Sequence, residues 1–201
     1  MSTDVGILLY EGFDELAAVG PHALLAAAAD RAPIEVRTYS LVPSETLPAA
    51  SGLAVAPDDV LIGTPDLVLV PGGPWDDAAP SGAAAAADAE YADRVATLAD
   101  NGASVAAVAS GVRTLGEADR LDGRTVAVPA ARTDAVSAYG ATGRATAILD
   151  DGGLVTAATP ADGLELALHI VREEADEELA TDLGERFGVE VPSGSVVRVQ
   201  E

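Results

Sequence analysis

The run Val105-Ala106-Ala107-Val108-Ala109-Ser110-Gly111 constrains this chain most. An apolar, β-branched stretch closing on small residues, then Ser-Gly, then a helical stretch, predicts a buried strand entering a sharp strand-to-helix turn. Such an elbow belongs to α/β folds, where it lifts one side chain clear of the sheet beneath a helix N-terminus. That side chain here is the methyl of Ala109, and the chain contains no cysteine.

The remaining segments follow the same alternation. Residues 5–10 are continuously apolar between Asp4 and Glu11-Gly12, as a strand buried on both faces requires. Residues 13–29 carry Leu16, Val19, Leu24 and Leu25 at helical spacing, with Gly20-Pro21 expected to kink or restart the helix. Residues 34–40 alternate as a second strand, and 53–56 suit an edge strand or hairpin arm. Leu67-Val68-Leu69-Val70 runs into Pro71-Gly72-Gly73-Pro74. A helix over about 84–101, ended by Gly102, precedes the elbow strand. Beyond the elbow come a helix over 111–119, a strand over 125–128 stopped by Pro129, and a helical stretch over 132–139. Strands at 145–149 and 154–157 flank the turn Asp150-Asp151-Gly152-Gly153, and helices follow at 160–172 and 177–187. Strands alternating with helices imply one α/β domain over 1–190, a mainly parallel sheet with helices on both faces, and a loose tail over 191–201. In such a sheet the site lies at the C-terminal strand ends, which gathers Tyr10, Pro71 and Ala109 around one crevice.

Composition excludes several partners. The 201 residues carry 33 acidic and 11 basic groups, every basic residue being arginine, for a net charge of -22. The carboxylates are spread along the chain, unlike those of a disordered acidic tail, and no cation cluster offers a surface for nucleic acid. A dense carboxylate shell suits molar salt, where self-repulsion is screened within about 3 Å. A haloarchaeal protein is therefore expected, its charge reporting habitat rather than partner. No apolar run reaches the roughly 18 residues that would span a bilayer, and the chain begins without a basic leader, so a cytoplasmic location is expected.

Four segments, in order, resemble the ThiJ/PfpI superfamily, which has the class I amidotransferase-like, flavodoxin-like doubly wound fold. They are 12–22 (GFDELAAVGPH), 69–74 (LVPGGP), 108–111 (VASG) with Leu121-Asp122-Gly123-Arg124, and 156–169 (TAATPADGLELALH). Within that superfamily the isonitrile hydratase branch is the nearest likeness. The resemblance implies a homodimer and three reacting groups: an acid four residues before the Gly-Pro proline, a cysteine at the elbow, and a histidine after the Asp-Gly-Arg strand or beside the cysteine. Here those positions carry Ala17, Ala109 and Pro129. The positions whose backbone N–H groups would form an oxyanion hole, Gly73 and Ser110, are present. A carboxyl that tunes a thiolate has no purpose without one, so the joint loss of acid and thiol is coherent.

The expectation is a ThiJ/PfpI-like protein without cysteine catalysis, binding a small molecule or acting as a regulator. Gly73, Ser110, Asp14, Arg113 and Trp75 are its candidate ligand residues. Arg132 is a further candidate anion holder, although both arginines equally suit pairing with the acidic surface. A hydrolase or hydro-lyase is the alternative. It would use Ser110 with His22 as base, or water activated by Asp14, Glu15 or His22. A structural homodimer with a filled crevice is the third reading. His169, among Leu166, Leu168 and Ile170, suits a packing role, and Thr159 is expected to narrow the crevice. No histidine or carboxylate cluster has metal-ligand spacing, and Gly72-Gly73 lacks the following Lys-Ser/Thr of a phosphate loop, so neither metal nor cofactor is expected.

Overall fold

A computed structural model describes residues 2–75 and 89–190, together with the backbone of a strand at 196–198. In chain order the elements are β1 (Thr3–Leu8), α1 (Glu15–Ala29), β2 (Ile34–Ser40), β3 (Leu47–Pro48), β4 (Ala54–Val55), β5 (Asp59–Val60) and β6 (Leu67–Val70). Then come α2 (Ala89–Asp100), β7 (Ser104–Val108), α3 (Gly111–Glu117), β8 (Thr125–Ala127), a 3-10 helix (Ala130–Tyr139) and β9 (Thr142–Arg144). The chain ends through β10 (Ile148–Asp150), β11 (Leu154–Ala157), α4 (Asp162–Glu174), α5 (Glu177–Phe187) and β12 (Val196–Arg198).

The main sheet has the order β12-β10-β11-β7-β6-β1-β2-β5. All neighbours pair in parallel except β10 and β11, so the fold is a flavodoxin-like, mainly parallel α/β sheet with helices. The central strands are continuously apolar because both faces are covered: Ile7, Leu8, Val68, Leu69, Val70, Ala106, Ala107 and Val108 have no exposed surface. The strand order reverses at β1, between β2 and β6, and a crevice opens at the strand ends beside such a reversal.

Three sequence expectations change. α1 runs unbroken through Pro21 instead of restarting there. The stretch expected to be helical over 132–139 is a 3-10 helix from Ala130 to Tyr139. The tail expected to be loose contributes β12, which pairs in parallel with β10, Ile148 opposite Val196. The N-terminal part of the helix expected over 84–101, including the alanine run, lies outside the described residues; α2 begins at Ala89. No helix among the described residues is long and apolar enough to cross a membrane.

Candidate functional site

The elbow forms as its residue sizes dictate. β7 ends at Val108, and Ala109 takes φ +52°, the left-handed region that costs a non-glycine residue about 1–2 kcal/mol. The turn is held by the Ala109 N–H, which donates to the Ala157 carbonyl at 2.8 Å. Two glycines let the backbone approach it. A Cβ on Gly72 would lie 2.7 Å from the Val108 carbonyl oxygen and 2.8 Å from the Ser110 nitrogen, and one on Gly111 would strike the Val70 carbonyl.

Ser110 is buried, and its hydroxyl is fully engaged. It accepts from the Gly73 N–H at 2.8 Å and donates to the Gly73 carbonyl at 2.6 Å. The donor that would hold an oxyanion is thereby bonded to a serine oxygen, and the serine proton is directed at a carbonyl instead of a base. The expected pairing of Ser110 with His22 is thus corrected: His22 lies half-buried on α1, lining a cleft with Thr38 and Asp58.

The start of α1 is tied to the PGG loop, and its Pro21 meets α4 where α4 also meets the end of β7. The Asp14 N–H donates to the Gly72 carbonyl at 2.7 Å, and a Cβ on Gly163 would touch both the Pro21 ring and the Val108 side chain. Ala17, between these two points on α1, has no exposed surface. The Asp14 carboxylate caps the helix by accepting from the Ala17 N–H at 3.0 Å. Glu15 accepts from the Ser51 N–H at 2.8 Å. Tyr10 closes the first strand end on the PGG strand, its hydroxyl donating to the Pro71 carbonyl at 3.1 Å. Burial pushes the Tyr10 hydroxyl far above its ordinary range, with the Asp14 charge adding to the effect, so it stays protonated.

Three candidates from separate segments meet at the mouth of α3. Arg113 Nη1 reaches the Trp75 carbonyl at 3.4 Å, and the Arg132 guanidinium lies 5.5 Å from the Trp75 ring centre. Pro129 introduces the 3-10 helix that carries Arg132. Thr159 bonds Asp162 through both its N–H and hydroxyl at the start of α4. His169 is buried, with Nδ1 2.7 Å from Arg172 and Nε2 3.4 Å from Asp150. Among the described residues no group of three histidine or carboxylate side chains is placed to hold a metal.

The sequence profile of the DJ-1/PfpI family matches residues 3–173. The chain belongs to the DJ-1/PfpI family. No curated protein matches the chain significantly by sequence. Among solved structures, a ThiJ/PfpI family protein from Pseudomonas syringae is 23% identical with a TM-score of 0.81, covering 94% of this chain and 75% of that one. A cysteine-to-alanine mutant of a DJ-1 superfamily protein from Salmonella typhimurium is 21% identical with a TM-score of 0.76, covering 94% and 99%. The DJ-1beta of Drosophila melanogaster is 21% identical with a TM-score of 0.74, covering 94% and 100%. At these identities the likeness is one of fold.

Sequence reasoning missed the Ser110–Gly73 bridge. A serine after a nucleophile position reads as a spare nucleophile, and only the approach of the two loops shows its hydroxyl answering a backbone pair.

Proposed function

We propose that this chain is a DJ-1/PfpI-family protein without cysteine catalysis, a cytoplasmic homodimer that binds a small molecule or acts as a regulator. The observation that carries the reading is the Ser110 hydroxyl bridging the Gly73 N–H and carbonyl beneath an elbow that holds alanine. The Gly73 N–H and carbonyl beside the elbow are bonded within the protein. As ligand donors, the side chains of Asp14 and Ser110 and the N–H of Gly73 are already engaged. The Trp75 ring and the Arg113 guanidinium, which already bonds the Trp75 carbonyl, are the side chains through which a ligand would meet this end of the sheet.

The homodimer draws support from α1. Leu16 and Val19 are 45% and 42% exposed, and Leu53 on the adjoining loop is 51% exposed. They border a shallow apolar cleft of about 380 Å³ with Leu164 and Phe187. Leu16 and Val19 have helical spacing like the buried Leu24 and Leu25, yet stay uncovered in one copy of the chain, as a seat for a second copy would. The likeness to the isonitrile hydratase branch rests on sequence segments, not on retained chemistry.

The reading is tested with an alkyl isonitrile and a metabolite panel in molar potassium chloride. The expected result is no hydration of the isonitrile to the formamide above buffer, together with ligand-dependent thermal stabilisation. Turnover that disappears in Ser110→Ala would instead establish the hydro-lyase alternative. A panel without any stabilising compound would favour the structural homodimer with a filled crevice, which the burial of Ala109 supports.

A further inference from the structure

His22, freed from any role with Ser110, marks a second site. Between α1 and residues 53–58 lies a cleft of about 400 Å³ that none of Gly73, Ala109 and Ser110 lines; Val19 and Leu53 on its rim also border the face proposed for the second copy, whereas its polar end at His22, Thr38 and Asp58 does not. Its floor is apolar and rigidly packed: Leu9 is 2% exposed and Phe13 has no exposed surface. Val55 continues the apolar wall. Its polar end is built from Asp58, Thr38 and His22.

The Asp58 carboxylate is fixed in orientation. Its Oδ2 accepts from both the Thr38 N–H and the Thr38 hydroxyl, each at 2.8 Å, and the Thr38 hydroxyl accepts in turn from the Asp58 N–H at 3.1 Å. Thr38 is thereby fully used, and both bonds to the carboxylate fall on one oxygen. Oδ1 of Asp58 and the imidazole of His22 make no hydrogen bond among the described residues. The Thr38 N–H holds the Asp58 carboxyl below its ordinary range, so a negative oxygen faces the cleft.

An apolar pocket with a few convergent polar groups is the usual form of a small-molecule site. We propose that this cleft binds a small amine with an apolar body, its ammonium group donating to Asp58 Oδ1 and to a ring nitrogen of His22. An ammonium supplies donors to both groups and matches the carboxylate in charge, whereas an anionic head is repelled. The apolar body then covers Leu9, Phe13 and Val55.

The probe is 2-phenylethylamine, set against phenylacetate and 2-phenylethanol, which keep the ring and change the head. Calorimetry is run on the full chain in molar potassium chloride, where diffuse attraction to the acidic surface is screened within about 3 Å. The amine alone is expected to bind. Asp58→Asn should weaken it roughly tenfold or more, as loss of a charge-assisted bond requires, and His22→Ala should weaken it less. Ala54→Trp, at an exposed position on the cleft wall, should abolish binding while leaving the Thr38–Asp58 bonds in place. This second variant keeps the test decisive if Asp58→Asn fails to fold. Absence of amine binding, equal binding of phenylacetate, or amine binding that survives both Asp58→Asn and Ala54→Trp would overturn the proposal. The last outcome is that of cations condensing on an acidic surface.

Discussion

Ala109 keeps a left-handed backbone for a side chain that does no chemistry, and its neighbour Ser110 shows why the turn remains sound. The hydroxyl bridge to Gly73 ties the elbow to the PGG strand where the two loops come within contact distance. Truncating it leaves a buried N–H and carbonyl without partners. Ser110→Ala is therefore expected to cost about 1–3 kcal/mol in urea unfolding, with no compensating loss of turnover. A variant as stable as the parent would remove the bridge as a structural element. At this scale the resemblance of motif spacing offers Ala17, Ala109 and Pro129 as the emptied positions, an assignment that the thiol variants below test. The bridge was not legible, because it joins residues 37 positions apart through loops whose approach only the fold determines.

α1 serves two sides of the molecule. Ala17 and Pro21 are buried, while Leu16 and Val19 stay exposed beside Leu53. Leu16→Glu places a charge on that face without entering the core, so it is expected to shift a dimer to monomer in sedimentation at molar salt while leaving the fold intact. An unchanged assembly would move the interface elsewhere. β2 is joined to the segment before β5 through Thr38 and Asp58, and this link has a defined pH dependence. The folded carboxyl titrates below its ordinary range, so its contribution is present above that range and lost as pH falls through the folded value. Asp58→Asn is expected to flatten the acid limb of stability measured by urea melts from neutral to acid pH. The central strands were legible because complete burial writes continuous apolar runs. β12 was not, because the short β-branched run Val196-Val197 follows Pro192 and Gly194 and becomes a strand only by pairing with β10.

Across the whole molecule, the fold carries a charge of -22 on 201 residues, and pairs such as Arg31–Asp182 at 2.8 Å are exposed on both sides. Pairs of that kind contribute little, so the surface is dominated by carboxylate repulsion. The thermal midpoint is expected to fall by several degrees or more between molar and tens-of-millimolar potassium chloride; a flat response would remove adaptation to salt as the origin of the charge. The order of segments along the chain made the DJ-1/PfpI architecture legible, yet the same segments left open whether the crevice still works. Under the proposed function, the elbow scaffold persists while thiol and acid are both gone. The most direct test is the pH dependence of alkylation of a thiol introduced by Ala109→Cys, alone and combined with Ala17→Asp. The single variant is predicted to titrate near an ordinary thiol, about 8.5, and the double variant distinctly lower, as a carboxyl sharing its hydrogen with the thiolate requires. Identical titration of the two would contradict the assignment of Ala17 and Ala109 as the emptied partners of one site.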